Sequence, residues 1–211
     1  MMEWKLIYKN DKEVFMKLII FTGPPASGKS SIAKFIAKER KIFFTSKDDC
    51  KIRLFEKYGF KNHSEKKALS NLGEENMHKE IEEALKKNID VIVDNNFKKF
   101  NNLREILKNI NTKVTIICIY LTANFEKLAE RYNERISSGN RHLALYTMNQ
   151  YPIIDGVSEF HHKLTKEDVI GIEQNVKEKK FGNNILEINT DNIEKDFQKI
   201  CEEILNYIDL F

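Results

Sequence analysis

Short unbroken apolar runs alternate along this chain with longer stretches in which apolar residues recur every three or four positions. Leu18-Ile-Ile-Phe21 is the first such run and predicts a buried strand. From Gly28 to about Arg40 the spacing turns helical, with Ile32, Ala33 and Ile36 on one face. Ile42-Phe43-Phe44 predicts a second strand, Asp48 to Tyr58 a second helix, and Gly59–Ser64 a break. Residues 65–88 carry a long charged helical pattern interrupted at Gly73, with Met77, Ile81, Ala84 and Leu85 on its later face. Asp90–Asp94 is a third strand, followed by Phe100, Leu103, Leu107 and Ile110 at helical spacing. Val114–Leu121, rich in β-branched residues, is the fourth strand. Phe125, Leu128, Ala129, Tyr132 and Ile136 mark an amphipathic helix behind it. Ile185–Ile188 is the fifth strand. The last helix reads as opening on an Asp191/Glu194 capping box and carries the stripe Phe197, Ile200, Ile204 and Ile208.

Strands that alternate with helices in this way predict an α/β fold, with a parallel five-stranded sheet covered by helices on both faces. Residues 16–211 are expected to form one domain, and residues 1–15 an extension or an extra edge strand. Residues 137–182 are the least regular part. In such sheets ligands bind beyond the carboxyl ends of the strands, so this stretch is expected to serve as a lid or an acceptor-binding region.

Composition narrows the function classes. Hydrophobic content of 41% and charged content of 32% are those of an ordinary globular protein. The net charge of only +3 argues against a dedicated binder of long nucleic acid but leaves room for a local basic patch. Cys50, Cys118 and Cys201 are far apart and form no CxxC, so neither a disulfide framework nor a zinc site is indicated. No apolar run approaches the roughly 20 residues of a membrane helix, and the first fifteen residues lack the pattern of a secretory leader. A cytoplasmic protein without a membrane partner is expected.

The chemistry concentrates in Phe21-Thr-Gly-Pro-Pro-Ala-Ser-Gly-Lys-Ser-Ser31, where Gly23 and Gly28-Lys29-Ser30 fit the phosphate-binding pattern GxxxxGK[ST]. With a strand before it and a helix after it, the backbone from Gly23 through Pro24, Pro25, Ala26, Ser27 and Gly28 to Ser31 curls its N–H groups toward one point, which favours a polyanion. Lys29 is expected on the β- and γ-phosphates and Ser30 on Mg²⁺. No [NT]KxD guanine-reading motif follows. After the second strand, Asp48 or Asp49 is a candidate to accept the proton of an attacking hydroxyl. The same two residues would also serve as a helix cap and first-turn acid. Asp94, at the end of the third strand, is a candidate for the Mg²⁺ shell; Asp-Asn-Asn is equally good turn chemistry. Arg131 and Arg135 share a helix face with Lys127, a ridge that an anionic ligand would make favourable and that otherwise is a solvated charged face. Arg141, in a glycine-containing loop, is a further phosphate-side candidate, and His142 a candidate substrate contact. His161 and His162 are adjacent and point too far apart for a metal pair.

Taken together, GPPASGKS, KDDCKIR, DNN and RYNERISSGNRH, in this order over residues 16–145, resemble the P-loop kinases grouped with polynucleotide 5′-kinases, zeta toxins and chloramphenicol phosphotransferase. The resemblance implies a nucleotide-kinase-like P-loop NTPase fold, with ATP and Mg²⁺ on Lys29 and Ser30. It also implies Asp48 as the base for the acceptor hydroxyl, Arg131 and Arg135 on the phosphates, and Asn96 near the acceptor. In polynucleotide kinases an arginine that grips the acceptor phosphate stands where this chain has Lys51, and Arg53 lies two residues out of register. Asp49, Lys51, Arg53, Asn96, Arg141 and His142 are therefore the acceptor-side candidates. The expected function is phosphoryl transfer to a hydroxyl of a small molecule or nucleotide. The alternatives are a polynucleotide 5′-hydroxyl kinase acting on a nucleic acid 5′ end, a nucleotide-binding switch or ATPase without an acceptor, and a zeta-toxin-like kinase of a sugar nucleotide.

Overall fold

In a computed structural model, which describes residues 16–97 and 99–211, five parallel strands form one sheet in the order β2-β3-β1-β4-β5. The strands are β1 (Met16–Thr22), β2 (Phe43–Ser46), β3 (Val91–Asp94), β4 (Val114–Thr122) and β5 (Asn184–Asn189). Between them run α1 (Lys29–Arg40), α2 (Lys47–Tyr58), α3 (His63–Lys86), α4 (Asn101–Lys108), α5 (Phe125–Ser137) and α6 (Lys166–Gln174), and α7 (Ile193–Ile208) closes the chain. The expected parallel α/β sheet is present. Residues 1–15 lie outside the described residues.

The unbroken apolar strands are explained by burial on both faces. Leu18 and Ile20 of β1 join Met77, Ile81, Phe97, Phe100 and Leu103 under α3 and α4. Ile19 and Phe21 join Ile32, Ile36, Ile200 and Ile204 under α1 and α7. Each such side chain contributes roughly 1.5–3 kcal/mol by leaving water, so the central strand ends are anchored from both sides.

Three elements differ from the pattern reading. Helix α3 runs unbroken through Gly73, because a Cβ there would sit 2.8 Å from Lys51 Cγ and 3.1 Å from Lys51 N. Glycine is the residue that lets α2 and α3 touch, and packing outweighs its cost of about 1 kcal/mol within a helix. The N-cap of α2 is Ser46, whose hydroxyl accepts from Asp49 N at 3.0 Å. Asp48 and Asp49 are thus first-turn residues rather than the cap. The Asp191/Glu194 box does not form: Asp191 accepts from Asn124 N at 2.6 Å, and Glu194 pairs with Arg131.

The stretch 137–182 is more ordered than its irregular sequence suggests. It holds a 3₁₀ turn at Leu143–Leu145, and α6 opens on a Thr165/Asp168 capping box. Antiparallel bridges join Phe60 to Tyr151 and Thr147 to Phe160. Ala144 and Leu145 bury against Phe55 and Phe60, so the segment is docked on α2 and α3.

Candidate active site

The loop after β1 is shaped by the strands beneath it. Gly23 has φ 137°, and a Cβ there would fall 2.0 Å from the Leu121 carbonyl oxygen, so no side chain fits between β1 and β4. Gly28 caps α1 at φ 87°, and Ala26 adopts the left-handed region at φ 62°. The β5–α7 loop braces the curl, with Thr190 Oγ1 donating to the Ser27 carbonyl at 3.1 Å. Lys29 folds its ammonium back onto the Pro24 carbonyl at 2.6 Å. Burial pulls the Lys29 pKa below the ordinary lysine value, while Asp94 pulls the other way.

Strand register brings the acids to this loop. Asp94 lies beside Phe21 on one side and Ser46 on the other, at the ends of three neighbouring strands. It accepts from the Ser30 hydroxyl. Burial pushes its carboxyl above the usual range, opposed by Lys29 and by the Ser30 hydroxyl. Asp48 projects from the first turn of α2 and is held by Lys51 at 2.9 Å and by Arg141. Burial alone would raise its pKa, but Lys51 and Arg141 together hold it far below the usual carboxylate range. The Asp48 side chain is still 42% exposed, so it can be reached from the cleft.

Two adjoining cavities, of about 300 and about 350 Å³, share Ser30, Asp48, Arg135 and Arg141 as walls. The first is also lined by Pro25, Ala26, Lys29, Asp94 and Asn96, and the second by Ser31, Asp49 and His142. Gly23, Pro24, Ser27 and Gly28 form the loop itself. Asp49 pairs with Lys34 at 3.0 Å, and His142 Nε2 lies 3.2 Å from Glu56. Outside the loop, three candidates line neither cavity: Lys51, which meets the cleft only through Asp48, and Arg131 and Arg53, which do not reach it. Arg131 lines neither cavity; it binds Glu194 at 2.9 Å and the carbonyls of Thr190 and Asp191. It lies one helical turn before Arg135, about 6 Å along the axis, level with the β5–α7 loop that captures it. Arg53 turns toward α3, where it pairs with Glu80, and contacts Cys50 Sγ at 3.1 Å.

Lys47, Asn95 and Tyr132 line the first cavity although the sequence did not mark them as site residues. Each adjoins a residue that was so marked: Lys47 precedes Asp48, Asn95 precedes Asn96, and Tyr132 follows Arg131. Asn95 Nδ2 and Arg135 Nε are buried with no hydrogen-bond partner, which marks the cleft as built for a polar ligand. Ser30 and Asp94 together offer two hard oxygens to a divalent cation. This suits Mg²⁺, which keeps waters and substrate phosphates as its remaining ligands. Among the described residues no cluster of three His, Cys, Asp or Glu could hold a metal unaided.

Comparison with known proteins identifies the family and the fold. Residues 18–148 match the family model described as an AAA domain, and the chain belongs to that family. No curated protein matches it in sequence. Among solved structures, one described as a "putative kinase" from Chloroflexus aurantiacus J-10-fl superposes with a TM-score of 0.70 at 21% identity, covering 91% of this chain and 98% of that one. A gluconokinase from Sinorhizobium meliloti 1021 gives 0.54 at 14% identity, covering 92% and 91%. A chain of the Pnkp1/Rnl/Hen1 RNA repair complex gives 0.52 at 18% identity, covering 80% of this chain and 46% of its own length. The fold is that of the P-loop kinases. No helix among the described residues is long and apolar enough to cross a membrane.

Proposed function

We propose that this protein is an ATP- and Mg²⁺-dependent phosphotransferase that moves the terminal phosphate to a hydroxyl of a small molecule or nucleotide. The observation that carries the reading is Asp48, paired with Lys51 and Arg141 in the wall shared by two cavities that both border the phosphate loop. A triphosphate in the first cavity would take the Lys29 ammonium from the Pro24 carbonyl. Ser30 and Asp94 would hold Mg²⁺, which when bound would offset charge on the β- and γ-phosphates. The acceptor oxygen attacks the γ-phosphorus, its bond to the β,γ-bridging oxygen breaks, and nucleoside diphosphate leaves. The hydroxyl proton passes to a carboxylate oxygen of Asp48. A weak base suffices there, because the transition state is loose and most catalysis comes from positioning and charge. Arg135 would steady the charge on the transferring group.

The size of the cavities favours a small acceptor over a polymer, since sites of a few hundred Å³ enclose single small molecules. Lys51 also lacks the bidentate fork by which an arginine grips a nucleic acid phosphate. The test is transfer of ³²P from γ-labelled ATP to pooled sugars, hydroxy acids, nucleosides and 5′-hydroxyl oligonucleotides. A labelled small product that disappears in Asp48→Asn supports the reading. Release of inorganic phosphate alone, unchanged in Asp48→Asn, would point to a nucleotide switch instead.

A further inference from the structure

On the α2–α3 side of Asp48 the molecule carries positive charge that the phosphate loop does not use. Lys66 of α3 is only 8% exposed. Its ammonium donates to the Thr147 carbonyl, lies 3.4 Å from His161 Nε2, and sits 5.6 Å from the centre of the Phe60 ring. Among the described residues no carboxylate pairs with it. Asp48, whose charge reaches it, is already engaged by Lys51 and Arg141. Thr147 is wholly buried, and its hydroxyl has no hydrogen-bond partner. Tyr146 ties these groups to the cleft: its ring lies 5.8 Å from the Arg141 guanidinium, and its carbonyl accepts from the backbone N–H of His161 at 2.9 Å. Burial, with Lys51 and Arg141, brings the Lys66 pKa down to about 8. Burial and Lys66 bring that of His161 down to about 4, so its ring is neutral near pH 7. An ammonium buried without a counter-charge is unfavourable, and an anion arriving beside it removes the penalty.

We propose that the acceptor alcohol is itself an anion, its carboxylate or phosphate drawn to Lys66 and Arg141 while its hydroxyl meets Asp48. The inference rests on the phosphotransferase reading and names its substrate class. It also gives Arg141 a second task. In the free protein this arginine occupies one oxygen of Asp48, and an acceptor anion draws it away and frees that oxygen for the proton. A neutral alcohol leaves Asp48 engaged on both sides.

The experiment uses the full chain saturated with Mg²⁺ and a non-hydrolysable ATP analogue, so that the donor site is filled. Glycerol, D-glycerate and glycerol 3-phosphate, one skeleton with and without charge, are then titrated by thermal shift and by the ring resonances of His161. The expected result is saturable binding of at least one anion with a shift of the His161 ring, no such effect of glycerol, and at least tenfold weaker anion binding in Lys66→Met. Lys66→Arg, which keeps the charge, is expected within a few-fold of the parent. Response to glycerate alone assigns a carboxylate subsite, and response to glycerol 3-phosphate alone a phosphate subsite. Anions that bind no better than glycerol, or equally well to Lys66→Met with analogue affinity retained, would overturn the proposal. Failure of the parent protein to bind the nucleotide analogue would instead overturn the phosphotransferase reading.

Discussion

On the phosphate-loop side of the cleft the functional groups are fixed by backbone that leaves buried strands, whereas on the α2–α3 side they are fixed by one another. Lys29 and Ser30 open α1 behind the loop that leaves β1, and Asp94 ends β3; the side chains of both strands lie in the cores of the sheet. Their positions follow from strand register and a glycine turn. Asp48, Lys51, Arg141, Lys66 and His161 come from two helices and a docked irregular segment, and they are linked by ion pairs and hydrogen bonds. The difference teaches which side is free to specialise. A strand-end site tolerates little change because shifting it disturbs the core, while a charge network on helices can be rewired with less disturbance to it.

The largest effect is expected from Asp48→Asn, which should lower kcat by about 10²–10⁴ while leaving nucleotide affinity within a few-fold. Equal loss of both would place Asp48 on the donor side and erase the contrast. Arg135→Ala should cost about 10²-fold in kcat/KM, measured by steady-state transfer. On the acceptor side, Lys66→Met should raise unfolding stability by about 1–3 kcal/mol at pH 7, measured by denaturant titration, because it removes a buried cation. The sign of its pH dependence follows from linkage. An unfolded lysine keeps its proton to about pH 10.4, whereas native Lys66 releases it near 8, so between these values the unfolded chain binds more protons and stability rises with pH. The advantage of Lys66→Met should therefore be full below pH 8 and fade toward pH 10.

Gly73→Ala tests the contact on which that side rests. Better helix propensity would contribute about 1 kcal/mol, but the clash with Lys51 should outweigh it and leave a net loss of about 1 kcal/mol in stability. It should also weaken acceptor binding through the displaced Lys51. The smallest effect is expected at Arg131, where alanine should cost less than tenfold in turnover and about 1 kcal/mol in stability, since its partners are Glu194 and two carbonyls. A loss as large as that at Arg135 would return Arg131 to the phosphates.

Much of the candidate site was legible in the sequence because its phosphate-loop half is local. The curl from Gly23 to Ser31 is written in consecutive residues, and Asp94 follows directly from an apolar run. The parallel sheet was legible for the same reason, since runs buried on both faces are short, apolar and bounded by helical spacing. The α2–α3 half was less so. Arg131 and Arg135 are indistinguishable by spacing, and only the position of the β5–α7 loop separates them. Lys66 reads as one more lysine in a charged helix until the segment carrying Thr147 and His161 is laid over it.

Short-range order thus came from the sequence itself: which segments are strand or helix, where a polyanion would be gripped, and which acid ends β3. These follow from steric freedom at glycine, from apolar periodicity and from the chemistry of adjacent side chains, all of which act over a few residues. Tertiary structure alone decided which cations face the cleft, why α3 keeps Gly73, and that Arg141 reaches across 93 positions to Asp48. Such pairings depend on how elements far apart in the chain pack, and a charged side chain carries no local mark of the partner it will meet.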